Sequence, residues 1–262
     1  MTQNISPSAG IPSPTQFSLI NIWRYPVKSM QGESLESTSI TTDGIPGDRG
    51  WAVVETQTGK TASAAHYPQL LNCKASYSAE PAGHAPKETR EDLTDVPDLP
   101  DVMIEFENAD TFSSQDPQLN SRLSQLLGTE VTLTPSPTPT HFIDDSPINL
   151  LTRASLRQMQ SFTPTSILDP RRFRPNFLFE DAEKHTGFIE FEWAGKSLKL
   201  GSARLSSIYP CVRCIMTTHP QMELPQDSNI MKTMLRESNK TLSIYASVDT
   251  EGMAKVGDTL DF

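Results

Sequence analysis

Residues 204–214, RLSSIYPCVRC, carry the reading on which the fold turns: a strand that runs straight into a C-x-x-C. Working outward from it, GFIEFEWAGKSLKL (187–200) alternates on both sides of Gly195 and predicts a hairpin immediately before. LSIYASV (242–248) and GMAKVGDTLDF (252–262) supply closing strands after it, with a turn at Val256-Gly257-Asp258. NIMKTMLRE (229–237) predicts a late helix.

Further upstream, RRFRPNFLFE (171–180) is basic and then apolar, and SPINLLTRASLRQMQ (146–160) reads as a short helix capped near Thr152. DPQLNSRLSQLLG (116–128) places Leu119, Leu123, Leu126 and Leu127 at helical intervals, with Gly128 as the stop. FSLINIW (17–23), ESLESTSI (33–40), DVMIEFE (101–107) and the start of VTLTPSPTPTHF (131–142) predict strands. WAVVET and KTAS flank a hairpin turn at QTG (57–59). Many short strands and few helices indicate either a β-barrel or a mixed α+β architecture, mostly β. Residues 1–16 form a Ser/Pro/Thr-rich tail, expected to be disordered. The Pro/Asp/Glu-rich stretch near 78–101 is expected as an exposed loop, and the Pro/Thr run near 137 is the sharpest composition break.

In 262 residues there are 32 acidic and 22 basic side chains, a formal net charge of -10. That balance argues against a general nucleic-acid surface, yet allows a small basic pocket inside an acidic shell. No apolar run reaches the ~18–20 residues of a membrane span, and no secretory signal is present, so a cytoplasmic location is expected with no membrane partner. Three cysteines make no disulfide framework. Cys73, in an apolar stretch, is expected as buried packing. For Cys211 and Cys214, a redox dithiol, half of a zinc site and a single-ligand metal site all stand open. Arg213 between them would stabilise a thiolate if it points the same way. A cationic cluster stands at Arg171-Arg172-Phe173-Arg174-Pro175-Asn176, suited to phosphate and to a planar heterocycle. Lys28 and Ser29 in YPVKS, with Arg49 in GDRG, form a second possible anion site. Asp145 and Ser146 could cap the following helix or touch a ligand. No dinucleotide or P-loop glycine motif and no His pair at metal spacing is present.

YPVKSMQG, GDRGWAVV, DSPINLLTRASL, RFRPNFLF, PCVRCIMTTH and the terminal KVGD occur in an order that resembles the MOSC family. The resemblance is to the subgroup with a MOSC N-terminal β-barrel region, which includes the mitochondrial amidoxime-reducing component and its bacterial relatives. It implies a MOSC β-barrel over 138–262 and a smaller β-rich N-terminal domain over 17–137, with strands in 17–49 completing the MOSC barrel. It also implies a molybdenum cofactor in a basic cleft. Cys214 would be the metal ligand and catalytic residue, with Val212 and Arg213 lining the cofactor. Lys28, Ser29 and Arg49 would hold phosphate and pterin, with Asp145, Ser146, Arg174 and Asn176 approaching from two other segments. An association with pyridoxal phosphate binding also comes with the family. The chain departs from the family pattern at Thr61-Ala62-Ser63-Ala64-Ala65, where a basic residue is usual. It departs again at Val212, where serine is common, and in a short segment from His219 to Glu237.

The activity implied is reduction of small N-hydroxylated compounds at molybdenum. The alternatives are a cofactor or sulfur carrier without such turnover, and a purely structural β-protein. With three cysteines the chain cannot build a plant-type iron–sulfur cluster. A separate soluble ferredoxin or cytochrome-type protein with its reductase is therefore expected as electron donor.

Overall fold

The computed structural model describes residues 16–82, 99–136 and 142–262. The tail, most of the acidic loop and the Pro/Thr run near 137 lie outside the described residues. In chain order the elements are β1 (Phe17–Arg24), β2 (Glu33–Leu35), β3 (Ser37–Ile40), β4 (Trp51–Glu55), β5 (Lys74–Tyr77), β6 (Val102–Glu105), β7 (Thr111–Ser113), α1 (Leu119–Leu127) and β8 (Val131–Pro135). They continue as β9 (Ile148–Thr152), α2 (Arg153–Phe162), β10 (Phe177–Asp181), β11 (Ser197–Leu200), β12 (Ala203–Val212), α3 (Ser228–Glu237), β13 (Thr241–Thr250), β14 (Gly252–Lys255) and β15 (Thr259–Asp261).

The fold is mixed α+β and mainly β. One sheet runs β10-β9-β13-β12-β11-β15-β1 and closes on itself through β1–β10 pairing, with β2 attached to β1. Closure leaves no open edge in this ring of strands. β9 and β10 run parallel, which requires a crossover, and α2 lies within it. Inside sit Leu19, Ile22, Leu150, Phe177, Phe179, Leu198, Leu205 and Ile244. Trp193 enters from the 3₁₀ helix Ile189–Trp193, meeting Phe17 edge-on at 5.1 Å and Phe179 at 6.1 Å. A second core joins β4–β8, β5–β7 and α1, centred on Val53, Leu70, Ile104, Leu123 and Val131. α2 and α3 cover the barrel's outer face through Leu156, Met159, Ile230 and Met234. No described helix is long and apolar enough to cross a membrane.

Three expected elements differ. INLLT is a strand, buried at every position, with the helix beginning only at Arg153. A continuous apolar run buried on both faces fits a strand in a covered sheet as well as a helix, and pairing with β10 and β13 decides it. Thr152 does cap α2, accepting from the Ser155 amide at 3.1 Å. IEFEW is a 3₁₀ helix and not half of a hairpin, because Trp193 and Glu190 both turn inward. The WAVVE–KTAS hairpin forms only as a short one around the bridge Val54–Thr61, with the Glu55 amide donating to the Lys60 carbonyl at 2.9 Å and the Ala62 amide to the Val53 carbonyl at 2.8 Å. The strand's ladder partner is β8.

Glu190 is fully buried and accepts from the Thr152 and Ser155 hydroxyls, each at 2.6 Å. Burial pushes its carboxyl up to about 6, against the lowering effect of those hydroxyls. A raised carboxyl binds its proton more tightly folded than unfolded. Its contribution is therefore most favourable below the unfolded value and declines as pH rises from there through about 6. Relative to wild type, Glu190→Gln should gain about 2 kcal/mol of stability between pH 4 and pH 7. Urea denaturation at the two pH values checks this; a pH-independent difference contradicts it.

Candidate functional site

Strand alternation sorts the C-x-x-C. Cys211 and Arg213 are buried, whereas Val212 and Cys214 are exposed. The two thiols thus leave the end of β12 on opposite sides, and Cys214 stands at the start of the short 3₁₀ helix Ile215–Thr218. Arg213 points the way Cys211 does. Its Nη1 donates to Cys211 Sγ at 2.8 Å and its Nη2 to the Phe173 carbonyl at 2.6 Å. Burial is the largest influence and opposes its charge, but Cys211, Tyr245 and Cys214 together outweigh it and raise its pKa.

A cavity of about 360 Å³ opens beside Cys214, walled by Lys28, Ser29, Arg49, Asp144, Asn149, Arg174, Arg213 and Tyr245 among others. Two of these arginines stack on the buried Tyr25 ring, the guanidinium of Arg174 at 4.1 Å and that of Arg49 at 4.7 Å from its centre. Burial pushes the Tyr25 hydroxyl up to about 12, against the pull of those two arginines. Asp48 is the hub beneath them: it ion-pairs with Arg49, accepts from the Tyr25 amide at 2.8 Å and from Asn176 Nδ2 at 2.9 Å. Burial and the nearby Arg49 bring Arg174 down to about 10, so it remains charged at neutral pH.

Ser29, Arg49 and Arg174 have positive φ of 71°, 54° and 49°, a left-handed backbone that costs non-glycine residues of order 1 kcal/mol or more each. Their convergence on one cavity marks a place where side-chain direction takes precedence over backbone comfort. The turn that carries Arg49 needs Gly47, at φ 77°, because a Cβ there would sit 2.6 Å from the Tyr77 ring.

The residues singled out in the sequence are not equivalent in space. Lys28, Ser29, Arg49, Ser146, Arg174, Asn176, Val212, Arg213 and Cys214 all line the cavity. Asp145 does not: it accepts from the Tyr209 hydroxyl at 2.6 Å, and Asp144 is the carboxylate that lines the cavity, paired with Lys28. Ser29 Oγ is used to hold the Ala64 amide at 2.9 Å, and Ser146 donates to the Ala246 carbonyl at 2.7 Å. The Asn176 amide is committed to Asp48, Trp23 and the Asn149 amide, so it braces the wall. The three arginines of the RRFR run diverge. Arg171 pairs with Asp169 and Glu223 on the surface, fully buried Arg172 donates to the carbonyls of Ile167, His219 and Pro225, and only Arg174 faces the cavity. Ser63, Ala64 and Ala65 line it too, where the resemblance led to a basic side chain being expected.

Sequence reasoning missed Asp144, Asn149 and Tyr245. Asn149 was hidden in a segment read as helix; within β9 it faces the cavity, and its Nδ2 donates to Ser243 Oγ at 3.0 Å. Three polar atoms on the wall, Arg174 Nη2, Arg213 Nε and Asn149 Oδ1, are buried without a partner. Two are cationic donors, and such atoms ordinarily find an acceptor, so the cavity's chemistry fits an anionic, hydrogen-bonding ligand. Among the described residues no three His, Cys, Asp or Glu side chains gather as a metal site. A metal at Cys214 would then take its other ligands from a bound group. The cavity's lysine is engaged by Asp144 and by the Phe142 carbonyl at 2.9 Å, and pyridoxal phosphate binding has no support here.

Residues 137–261 match the MOSC domain and residues 16–127 the MOSC N-terminal beta barrel domain. A molybdenum cofactor sulfurase of Oryza sativa subsp. japonica is 24% identical over 258 residues, which cover 84% of this chain. The chain spans 30% of that protein's length. Among solved structures, the YuaD protein of Bacillus subtilis aligns over 94% of both chains with a TM-score of 0.48 and 11% identity. YiiM from Geobacillus stearothermophilus aligns over 44% of this chain and 53% of its own, with a TM-score of 0.33 and 17% identity. These two structural likenesses carry no functional weight.

Proposed function

Because the chain belongs to the MOSC domain family and carries the family's N-terminal β-barrel domain, we propose that it holds a molybdenum cofactor in this cavity and reduces N-hydroxylated compounds there. The observation that carries the reading is the pairing of one exposed thiol, Cys214, with a wall of Lys28, Arg49, Arg174 and Arg213 in a chain of net charge -10. A soft thiolate suits molybdenum, and guanidinium groups suit phosphate oxygens. In this reading Cys214 ligates the metal, Arg174 and Arg213 offer their unpaired N–H groups to the anionic part, and Lys28 exchanges Asp144 for it. Asn149 Oδ1 accepts from a ligand N–H. Asp48 and Asn176 hold Arg49 and the β9–β10 wall in place from behind. Tyr245 keeps its proton at neutral pH, since burial raises its pKa, so it acts as a hydrogen-bonding group and not as a base. When bound, molybdenum supplies two-electron removal of oxygen from nitrogen, two electrons and two protons converting an N-hydroxyl to N–H and water. The electrons would come from a separate soluble ferredoxin or cytochrome-type protein with its reductase.

Protein from a host that makes the cofactor should carry molybdenum near one equivalent per chain and oxidise a reduced viologen when given an amidoxime. No substrate-dependent oxidation across a broad N-hydroxylated panel, with molybdenum confirmed, refutes the activity. A second reading, a cofactor or sulfur carrier, draws on the likeness to the rice sulfurase and on Ser63–Ala65 in place of a basic side chain. Incubation with a cysteine desulfurase, followed by mass spectrometry and transfer to an acceptor enzyme, separates the two.

A further inference from the structure

Asn149, on the cavity wall in β9, is buried with its Oδ1 unpartnered and its Nδ2 donating to Ser243 Oγ at 3.0 Å. A primary amide can turn over and exchange its oxygen for its nitrogen, so a partner must fix which of the two a ligand meets. Ser243 is fully buried in β13 and is not itself among the residues that line the cavity. Its hydroxyl also accepts from Arg213 Nη1, at 3.5 Å. It therefore stands behind two wall residues that each hold an atom without a partner, Asn149 Oδ1 and Arg213 Nε.

The backbone that brings Ser243 there is irregular. Strand pairing passes from Pro210–Ile244 to Val212–Thr241, so Leu242 and Ser243 together oppose the single residue Cys211. A bulge of this kind re-aims a side chain, and its residue with left-handed backbone is ordinarily glycine. Here that residue is Ser243, at φ 69°, a conformation that strains any residue carrying a Cβ. The chain thus keeps a hydroxyl where the backbone alone would favour no side chain.

We propose that Ser243 is a positioning residue of the cavity: its hydroxyl anchors the Asn149 amide by the nitrogen and leaves the oxygen as an acceptor for a ligand N–H. This rests on the cofactor reading above. An amide fixed in that sense favours a heterocycle with a ring N–H over one that presents only acceptors to it.

The test uses protein from a cofactor-producing host as wild type, Ser243→Gly, Ser243→Ala, Asn149→Leu, and Ser243→Gly combined with Asn149→Leu. Both serine variants lose the hydroxyl, but glycine suits the left-handed backbone and alanine does not. Ser243→Gly should therefore unfold at the higher urea concentration of the two. Molybdenum should nevertheless leave both about tenfold faster than wild type on dialysis, the scale expected when a residue that orients a ligand group is lost. The double variant should lose it no faster than Asn149→Leu alone, because Ser243 acts through Asn149. Loss that follows the urea ranking, with Ser243→Gly holding molybdenum like wild type, would make Ser243 structural and overturn the proposal. Additive loss in the double variant overturns it as well. NMR of the cofactor-free protein reads the anchor without a ligand. The Asn149 side-chain amide protons should exchange with water about tenfold faster in both serine variants, and unchanged exchange overturns the proposal. If wild type carries no molybdenum while that exchange quickens, the cofactor reading fails and the Ser243 anchor stands.

Discussion

Cys214→Ser is expected to leave protein purified from a cofactor-producing host essentially free of molybdenum, while Cys211→Ser keeps most of it. Loss of a supporting partner alone costs metal sites about 10–100-fold in affinity, and on the proposed function serine would remove the soft ligand itself. Cys211 is on the other side of the strand, buried and held by Arg213, so its replacement perturbs the wall without removing a ligand. Elemental analysis of both variants, with circular dichroism to confirm folding, decides the matter. Equal loss in two folded variants would show that the C-x-x-C acts as a pair.

The second large effect concerns Asp48. Its carboxylate is 3% exposed and holds Arg49, the Tyr25 amide and the Asn176 side chain. Asp48→Ala leaves the Arg49 guanidinium without its counter-charge and strands two further donors, a loss of about 3–5 kcal/mol by analogy with broken buried pairs. Asp48→Asn should cost less, because an amide oxygen can still accept one of these bonds. Urea denaturation measures both, and anion retention by the cavity should fall in the same order. A loss below about 1 kcal/mol in the alanine variant would mean that Arg49 is charge-balanced elsewhere.

Both effects trace to features that differ in how far they could be read from residues alone. For the C-x-x-C the residues alone left a dithiol, half of a zinc site and a single ligand open; it is the continuation of β12 through Val212 that sends the two thiols to opposite sides. Leu119–Leu127 with Gly128 in the left-handed region was legible, since helical spacing and a glycine stop are local signals. So was Thr152 as a cap. By contrast, IEFEW alternates like a strand and forms a 3₁₀ turn, because the barrel interior takes Trp193 and the Thr152–Ser155 pair takes Glu190.

By itself, the sequence determined a β-rich chain of family-ordered motifs, with a C-x-x-C and two groups of cations that could serve an anionic cofactor. Tertiary structure decided which of them meet. Arg171, Arg172 and Arg174 are near neighbours in the chain, yet one is salt-bridged at the surface, one is buried against carbonyls and one faces the cavity. Asp144 and Asp145 are adjacent and both exposed, yet only the first lines the cavity. In loops no period relates position to direction, so the direction of each side chain is set by distant partners: Lys28 for Asp144, Tyr209 for Asp145, and Tyr25 for the two stacked arginines.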